Sequence, residues 1–514
     1  MSSLLSQLPN MNDLIGHAVF DGLGRGRVKK AAREILDELR EAVLSGEVGG
    51  EVGELPGIDE CARMAFERID GDVPSLCGLI NATGVVLHTN LGRAPLGMEM
   101  YCAASEVFAG YCNLEFDLDT GLRGSRYTHV ESLICELTGC EAAMAVNNNA
   151  AAMVLILSAL AGGKKVAVSR GELVEIGGSL RIPEIIAHSG AVLIEVGSTN
   201  KTRLRDYQDA VENRGAEALL KVHTSNFEIV GFTESVSIAE LSSYGKSAGL
   251  PVIYDMGSCF LVEPGRFGFR AGETAMSGVA AGADVICFSG DKLMGCVQCG
   301  VIAGRAEYID TIKRHPLTRA MRPDKLTLCV LEAALRLYRY PDEAVRQIPV
   351  LAMLFAEPDE LKTRAGRLAG RLSKVLAGWS VDVCETSDEA GGGSLPNIRL
   401  PGWAVAIKPS GMSVNELESA LRLGRPPVII RIADDTALIS PRTLLPQDED
   451  KLVEAFAYLS KEGSNRTAGN AKRQQMTTHN GSPNSAAGNA KRQQMTTQKG
   501  SSNSAAENAK RRVF

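Results

Sequence analysis

The sequence has little that would carry it into or across a membrane. Its longest predominantly apolar stretch, residues 150–161, contains Ser158 and is too short to span a bilayer, so it is typical of a buried helix. The N-terminus has no basic segment followed by an apolar core, and we therefore predict no secretory signal. The 12 cysteines have no framework spacing, which favours free thiols in the reducing cytoplasm.

Two familiar ligand motifs are also absent, although fragments resemble them. Residues 22–26 contain glycines, but they follow no strand and do not match the dinucleotide-binding pattern. Cys296 and Cys299 have the spacing of a zinc or redox pair, yet no second pair accompanies them, and small buried residues are the simpler interpretation. Asp434 and Asp435 have no partner cluster. The sequence therefore predicts no metal site.

What is present is an ordinary globular composition with an uneven charge. The 514 residues are 45% hydrophobic and 23% charged, which excludes collagen, a coiled coil and a wholly disordered chain. The length predicts about three domains, with a core that needs no disulfide or metal. The formal charge is -6, but residues 464–514 hold nine Lys and Arg against one acid. An acidic globular body therefore precedes a basic tail.

The tail is an internal repeat. The sequence NAKRQQMTT occurs at residues 470–478 and again at 489–497, a period of 19 residues. Its composition is too polar to offset the entropy cost of ordering, so we predict that 463–514 is disordered. Two interpretations stay open, a duplicated tail without function and a weak electrostatic hold on RNA.

The rest of the chain divides into three predicted regions. Residues 1–75 are predicted to be helical, with an amphipathic helix over 28–44. Residues 76–340 alternate short apolar runs with helix-length segments, which predicts an α/β domain with a doubly wound, mostly parallel sheet. Residues 341–462 are predicted to form a small α+β domain with a helix over 361–376 and a strand over 426–433. The predicted strands of the large domain are 142–146, 164–169, 191–196, 219–224, 251–255 and 284–289.

A lysine and an aspartate follow two of these buried strands. Lys292 lies just beyond 284–289, where ligands bind in open α/β sheets. Apolar surroundings would favour its neutral amine, which is the form that makes an imine with an aldehyde cofactor. Asp255 ends an earlier strand and suits the pyridine nitrogen of pyridoxal phosphate. The alternatives are a surface lysine and a carboxylate that caps a strand end.

Polar residues at other strand ends complete a predicted cofactor site. Asn147, Asn148 and Asn149 stand between a strand and an alanine-rich helix, a place where helix N–H groups bind a phosphate. Ser289 would add a hydroxyl to the same phosphate, and His223 would stack on the cofactor ring. A plain helix cap and a core histidine are the alternatives.

Arginines near these strands suggest an oxyanion site. Arg319 and Arg322 are three residues apart and are predicted to share a helical face. Two guanidinium groups there would suit a bidentate oxyanion, and Arg93 would join them. A solvated helix face is the alternative.

Together these motifs give the chain a specific resemblance. From about Leu8 to Tyr458 it closely resembles the bacterial selenocysteine synthases, the L-seryl-tRNA(Sec) selenium transferases. The segments that carry the resemblance are residues 80–93, 127–131, 147–149, 289–292, 391–396 and 426–431. The repeated tail lies outside it.

The resemblance implies a fold-type I pyridoxal phosphate enzyme with a helical N-terminal tRNA-binding domain. It also implies a ring-shaped homodecamer with active sites at subunit interfaces. Lys292 aligns with the lysine that binds the cofactor, Asp291 with an acid important for the chemistry, and Thr199 with a loop near the site. The arginines that align with ligands of the selenium donor's phosphate are Arg93, Arg319 and Arg322. Cys296 departs from the family, because a glycine is common there.

The implied reaction converts seryl-tRNA(Sec) to selenocysteyl-tRNA(Sec) with selenophosphate, through a cofactor-bound aminoacrylyl-tRNA. A cluster of bases without an acid supports contact with tRNA phosphates, although a solvated helix face is the alternative. These bases are Arg25, Arg27, Lys29, Lys30 and Arg33. The resemblance implies no membrane partner and no DNA.

Two other functions remain open from the sequence. The same fold occurs in lyases that act on free small amino acids or amino-sugar acids, and Arg431 or Arg442 would hold their α-carboxylate. The second function is that of an inactive RNA-binding scaffold. The sequence argues against it, because it retains Lys292, Asp255 and the three asparagines together.

Overall fold

This computed structural model describes residues 5, 8–20, 22–45, 55–70, 75–176, 180–269 and 272–460. The chain divides into two compact units, Met1–Ala457 and Tyr458–Phe514. The predicted tail, 463–514, lies outside the described residues, and the predicted domain boundaries stay a prediction. No helix among the described residues has the length and apolar character that a membrane crossing requires.

Helices and strands alternate through the middle of the chain, as predicted. The helices are α1 (Met11–Ile15), α2 (Arg25–Ser45), α3 (Ile58–Asp70), α4 (Met98–Ala109), α5 (Thr128–Thr138), α6 (Asn149–Ala161), α7 (Ile182–His188), α8 (Leu204–Glu212), α9 (Ile238–Ala248), α10 (Ala275–Ala280), α11 (Ala306–Arg314), α12 (Leu317–Ala320), α13 (Lys325–Tyr338), α14 (Pro341–Gln347), α15 (Pro349–Leu354), α16 (Pro358–Val375) and α17 (Val414–Arg422), before a last helix over 448–460. The strands are β1 (Ile80–Asn81), β2 (Ala142–Val146), β3 (Lys165–Ser169), β4 (Glu175–Ile176), β5 (Leu180–Arg181), β6 (Val192–Val196), β7 (Ala218–Val222), β8 (Val252–Gly257), β9 (Val285–Ser289), β10 (Gly300–Gly304), β11 (Ser380–Glu389), β12 (Arg399–Lys408), β13 (Val428–Ile429), β14 (Arg431–Ala433) and β15 (Thr436–Ile439).

The N-terminal helices share a hydrophobic cluster of their own. Helix α2 buries one apolar stripe because its apolar residues recur at helical spacing, as the sequence predicted. The stripe consists of Val28, Ala31, Ala32, Ile35, Leu36, Leu39 and Val43. All of these except Val43 pack in one cluster with side chains of α1 and α3, including Leu14, Cys61 and Ala65. The predicted helix over 28–44 is thus confirmed.

A seven-stranded sheet forms the centre of the chain. Its order is β2-β10-β9-β8-β7-β3-β6, and neighbours are parallel except at β10, which is antiparallel to β2 and β9. Each strand predicted for this region is present, so the mostly parallel α/β prediction is confirmed. Strand β10 is antiparallel to both of its neighbours, so β2 and β9 run in the same direction. The C-terminal ends of β2, β3, β7, β8 and β9 therefore lie at one edge of the sheet.

Alternate residues of each strand enter hydrophobic clusters on opposite faces of the sheet. On β2, Ala143 and Ala145 pack with the cluster that includes α4, α5 and α13. Met144 and Val146 pack with the cluster on the other face, around α6, α7 and α11. Burial on both faces explains why these strands read as continuous apolar runs in the sequence.

The C-terminal region contains a smaller antiparallel sheet in the order β11-β12-β15-β14. Helix α16, which confirms the predicted helix over 361–376, buries Leu361, Ala365 and Leu368. The single strand expected over 426–433 is wrong, because Ile430 separates β13 from β14. Strand β13 leaves this sheet and pairs in parallel with β1 instead.

A buried ion pair within the C-terminal region lies against the segment that follows β1. Arg442 Nε donates to Asp388 Oδ2 at 2.9 Å, and its Nη1 atom donates to the Met353 carbonyl at 2.7 Å. Both charged side chains are almost fully buried. Gly84 lies so close that an added Cβ would fall 2.1 Å from Asp388 Oδ1. Only glycine therefore fits at residue 84.

Replacing Asp388 with alanine should destabilise the protein strongly. The substitution leaves the Arg442 charge buried without its partner, which costs about 3–5 kcal/mol. The free energy of unfolding, from urea titration followed by circular dichroism, measures the loss. As a control, Glu418→Ala breaks the exposed pair with Arg422 and should cost less than about 1 kcal/mol. Equal losses in the two variants would contradict the interpretation.

Candidate active site

A cleft at the C-terminal edge of the large sheet contains most of the predicted cofactor residues. It has a volume of about 420 Å³, and we call it the lysine cleft. The predicted residues that line it are Arg93, Asn148, Asn149, His223, Asp255, Ser289, Asp291 and Lys292. A larger cavity of about 510 Å³ lies between the start of α4 and α15, but its lining is mostly apolar and holds none of these residues.

Lys292 is buried in this cleft. Only 8% of the residue is exposed, so the surface-lysine alternative is wrong. Burial lowers the pKa of Lys292 below that of an ordinary lysine, with a smaller lowering by Arg93, while Asp255 and Asp291 oppose the change. The neutral amine is therefore available at a lower pH than in an exposed lysine.

Asp255 is more deeply buried, with 2% of the residue exposed. Its Oδ1 atom accepts hydrogen bonds from Asn149 Nδ2 at 2.9 Å and from the Gly257 N–H at 3.0 Å. Burial raises the pKa of Asp255, and these hydrogen bonds and Lys292 oppose the rise. Among the described residues no group donates to Oδ2. That oxygen is available to a ligand in the cleft.

The three asparagines do not act alike. Asn148 caps α6, because its side chain accepts from the Ala151 N–H at 2.8 Å. Asn149 lies in the cleft and donates to Asp255. Asn147 is exposed outside the cleft, and its N–H donates to the Met321 carbonyl at 3.0 Å. The structure thus joins Asn148 and Asn149, but not Asn147, to the predicted cofactor site.

Several polar atoms in the cleft fit a bound cofactor such as pyridoxal phosphate. Asn149 Oδ1 and Arg93 Nε are buried and have no hydrogen-bond partner, an arrangement that is costly unless a ligand or water supplies one. Ser289 and the start of α6 offer a hydroxyl and helix N–H groups to a phosphate. His223 lines the cleft from the end of β7. The residues present therefore fit the group that the sequence predicted.

Arg93 and Asp291 form an ion pair at the mouth of the cleft. Arg93 Nη1 lies 2.7 Å from Asp291 Oδ2. The backbone of Arg93 has a φ of 58°, which is costly for a residue with a side chain and persists only where its surroundings hold it. Arg93 thus places a cation next to Lys292.

Arg319 and Arg322 lie elsewhere, and the predicted shared helical face is wrong. Helix α12 ends at Ala320, because Pro323 disfavours a helical conformation at the residue before it. Arg322 Nη1 lies 3.4 Å from Glu115 Oε1. Arg319 is exposed, and neither arginine lines the lysine cleft of its own chain.

Thr199 and two C-terminal arginines are also outside the lysine cleft. Thr199 is exposed in the loop between β6 and α8 and lines a neighbouring cavity. Arg442 is buried in its pair with Asp388. Arg431 donates to the Ser387 carbonyl at 3.1 Å. Neither arginine is placed to bind a carboxylate in the cleft.

The turn after Lys292 holds the two closely spaced cysteines. Cys296 and Cys299 are free and buried, and burial raises the pKa of Cys296 to about 12. Gly295, not Cys296, has the left-handed backbone, with a φ of 64°. The cysteine therefore fits this turn without strain. No cluster of three or more metal-ligating side chains occurs among the described residues.

The five predicted tRNA-binding bases lie at the start of α2. All five are exposed, and none has a carboxylate within ion-pair distance in the described part of the chain. Arg25, Lys29 and Arg33 follow each other at four-residue spacing, so they lie on one side of the helix.

Several known proteins resemble this chain over most of its length. Residues 79–445 match the family model for L-seryl-tRNA selenium transferase. The L-seryl-tRNA(Sec) selenium transferase of Moorella thermoacetica is 46% identical over 459 residues, which cover 88% of this chain and 96% of that protein. That of Solidesulfovibrio magneticus is 48% identical over 461 residues, covering 88% and 97%.

The chain belongs to this family. Membership confirms the resemblance found in the sequence motifs and, with it, a pyridoxal phosphate enzyme. A solved structure of D-glucosaminate-6-phosphate ammonia-lyase matches with a TM-score of 0.51 and 20% identity over 76% of this chain and 97% of that chain. At that identity the likeness shows the fold alone, and it agrees with the predicted fold type I.

Some residues of the cleft were not predicted. Thr89, Asn226 and Gln298 line it, but nothing in their local sequence distinguishes them from ordinary loop residues. The hydrogen bond from Asn149 to Asp255 joins residues 106 positions apart. Only the folded sheet reveals these neighbours.

Lys292 should capture pyridoxal phosphate at an unusually low pH. We expect the rate of covalent attachment to cofactor-free protein, trapped with borohydride, to rise with pH through a midpoint below the usual lysine value of about 10.4. Asp255→Asn should lower the midpoint further, because Asp255 raises the pKa of Lys292. Lys292→Arg should abolish attachment at this site. A midpoint at the ordinary lysine value would contradict the assignment.

Proposed function

We propose that this chain converts seryl-tRNA(Sec) to selenocysteyl-tRNA(Sec), with selenophosphate as the selenium donor. The observation that carries the proposal is the lysine cleft, where buried Lys292 and Asp255 lie beside the Arg93–Asp291 pair. The transferases of Moorella thermoacetica and Solidesulfovibrio magneticus match this chain over 96% and 97% of their own length, which supports the same reaction here.

In this proposal the chain's own residues hold the cofactor and move one proton. Asp255 holds the pyridine nitrogen, while Asn148, Ser289 and the start of α6 hold the phosphate. Pyridoxal phosphate, when bound, supplies an electron sink for the carbanion at the α-carbon. Lys292, as a neutral amine, accepts the α-proton of the seryl group and then donates it to the departing β-hydroxyl, which leaves as water.

Arg93 is proposed to bind the selenium donor. A guanidinium group suits an oxyanion, and Arg93 lies beside Lys292 through its contact with Asp291. Selenium then bonds to the β-carbon that lost the hydroxyl, and the α-carbon takes up a proton from solvent. Water cleaves the Se–P bond, which releases phosphate and leaves the selenol. Asp291 orients Arg93 for this binding.

We propose that the chain forms a homo-oligomer, a decamer, in which Arg319 and Arg322 serve the cleft of another copy. Neither lines the cleft of its own chain, and an apolar surface lies near Arg322, since its partner Glu115 is next to Phe116. The segment over residues 98–122 exposes seven large apolar side chains, those of Met98, Tyr101, Phe108, Tyr111, Phe116, Leu118 and Leu122. Exposed apolar area of this kind marks a contact surface.

The lyase alternative loses the two arginines that were predicted to serve it. A free amino acid needs a cation for its α-carboxylate, but Arg442 and Arg431 are committed elsewhere in the C-terminal region. Seryl-tRNA is an ester and needs none. The free cysteines of the described structure support the proposed cytoplasmic location.

Neutralising one side of α2 should weaken tRNA binding. For Arg25→Gln/Lys29→Gln/Arg33→Gln, we expect the slope of log affinity against log salt to fall by about 0.9 for each lost phosphate contact. Filter binding to tRNA(Sec) and to bulk elongator tRNA, at several salt concentrations, measures this. Arg367→Gln/Lys374→Gln on exposed positions of α16 is the control. Wild-type protein that does not prefer tRNA(Sec) would contradict the proposed function.

Replacing Arg93 should affect the selenium donor more than the tRNA. A charged hydrogen bond contributes about 1.5–3 kcal/mol, so Arg93→Gln should raise the KM for selenophosphate roughly 10- to 150-fold. The KM for seryl-tRNA(Sec) should change little. Steady-state kinetics, with each substrate varied in turn, measures the two KM values. Arg336→Gln on the exposed side of α13 is the control. Equal effects on both KM values would argue against donor binding.

A further inference from the structure

Two more cavities lie beside the lysine cleft. The first has a volume of about 420 Å³ and shares Val222 and His223 with the lysine cleft. The second, of about 540 Å³, lies beside the start of α8 and shares Lys201 with the first. We call them the acidic cavity and the arginine pocket. The acidic cavity thus adjoins both of the others, and none of the residue roles proposed above uses it or the arginine pocket.

The acidic cavity is unsuited to an anion. Four carboxylates and two lysines line it, and it contains no arginine. Each carboxylate already has one partner, and keeps further lone pairs. Glu172 pairs with Lys221 and Glu234 with Arg203, each at 2.8 Å, while Glu273 accepts from Tyr254 and Glu228 from Asn397. Its hydroxyl groups include those of Thr224, Thr233 and Ser235. A neutral ligand with several O–H and N–H donors fits such a lining, since carboxylate and hydroxyl oxygens accept hydrogen bonds.

His223 adds an unpaired polar atom where the acidic cavity meets the lysine cleft. The ring atom Nδ1 is buried and has no hydrogen-bond partner. The backbone N–H of His223 donates to the Asp255 carbonyl at 2.8 Å. The backbone is therefore fixed and the ring nitrogen is left for a ligand. A buried polar atom of this kind is stabilised when a ligand hydroxyl supplies the missing hydrogen bond.

The arginine pocket has the opposite charge. Five bases and three acids line it, and the bases are Arg170, Lys201, Arg203, Arg205 and Arg214. Arg170 and Arg203 pair with Glu195 and Glu234, each at 2.8 Å. Among the described residues no carboxylate pairs with Lys201 or Arg205. Their two charges are available to phosphate groups, which is how most nucleic-acid contacts are made.

The chemistry of the proposed substrate fits this order of cavities. An aminoacyl-tRNA carries its amino acid as an ester on the ribose of its last nucleotide. Only three bonds separate the α-carbon from that ribose, a reach on the order of 4 Å. When the seryl group lies at Lys292, the terminal ribose must therefore enter a cavity that adjoins the lysine cleft. The phosphodiesters of the same strand follow directly.

We propose that the acidic cavity binds the terminal nucleoside of the aminoacyl-tRNA and that the arginine pocket binds the phosphodiesters just before it. This inference rests on the proposed function and names the residues that place its substrate. The nucleoside is neutral and rich in donors, whereas the phosphodiesters are anionic. Each part of the tRNA end thus enters the cavity whose lining suits its charge.

Arg205→Gln tests the arginine pocket. Loss of one contact to a single-stranded phosphate should reduce the slope of log affinity against log salt by about 0.7. Filter binding of the full-chain protein to deacylated tRNA(Sec) measures the slope, and cofactor absorbance verifies an intact lysine cleft. Arg367→Gln removes an equally exposed, unpaired arginine from α16 and should leave the slope unchanged.

Thr233→Trp tests the acidic cavity by filling its mouth. Wild-type protein should bind intact tRNA(Sec) on the order of tenfold more tightly than tRNA(Sec) lacking its terminal adenosine, because a few hydrogen bonds are lost. In Thr233→Trp this ratio should fall to about one. The affinity for the truncated tRNA should be the same in both proteins, which separates a filled cavity from a misfolded chain.

The outcomes separate this inference from the proposed function. Wild-type protein that binds tRNA(Sec) selectively, while Arg205→Gln and Thr233→Trp behave as wild type, overturns the inference and leaves the function in place. A change of mass in Arg205→Gln, measured by light scattering, also overturns it, because the pocket would then contact a second copy of the chain. Wild-type protein without selective binding overturns the proposed function itself.

Discussion

The buried carboxylate of Asp255 is the constraint on which the active site depends. A carboxylate in an apolar sheet is costly unless it is paired and hydrogen-bonded, and three separate segments meet this need. Asn149 donates from the start of α6, the Gly257 N–H donates from the end of β8, and Lys292 supplies a nearby cation beyond β9. Satisfying one carboxylate therefore fixes the positions of a helix, a strand and the reactive lysine relative to one another. Burial in the same cleft lowers the pKa of Lys292. The apolar surroundings therefore both position the amine and favour its neutral form.

The other cation of the cleft depends on a different buried charge. The Asp388–Arg442 pair lies where the small sheet meets the segment after β1, and that segment forms backbone hydrogen bonds with the C-terminal region on both sides. Val86 and Leu87 donate to the carbonyls of residues 389 and 390. A few residues later the same segment carries Arg93 to Asp291. The C-terminal region thus contributes to the site by fixing the segment that leads to Arg93, although its own arginines stay away from the cleft.

The sequence predicted the parts of the site that follow from strand direction. Lys292, Asp255, Ser289 and His223 were found because parallel strands bring their C-terminal ends to one edge, and an apolar run followed by a polar residue marks such an end. Contacts between distant segments were not predictable in this way. The run of three asparagines gave no sign that Asn149 would bind Asp255 while Asn147 pointed away, and spacing alone placed Arg319 and Arg322 on one helix that Pro323 shortens. The single strand expected at 426–433 failed similarly, because pairing with β1 draws β13 out of the small sheet.

The row of three cavities gives the proposed reaction a way to keep its two anionic substrates apart. Selenophosphate and the tRNA backbone both carry phosphate charge, so a uniformly basic site would let either occupy the place of the other. In the proposed arrangement the four carboxylates of the acidic cavity lie between Arg93 and the arginine pocket. Two of these carboxylates are paired, with Lys221 and Arg203. The negative charge that remains disfavours a small dianion and a phosphodiester alike, while a neutral nucleoside enters at little electrostatic cost. The tRNA end can enter this cavity because its terminal nucleoside bears no phosphate beyond the ester. In this proposal the alternation of positive and negative linings along the sheet edge keeps selenophosphate and the tRNA on different sides of the reacting carbon.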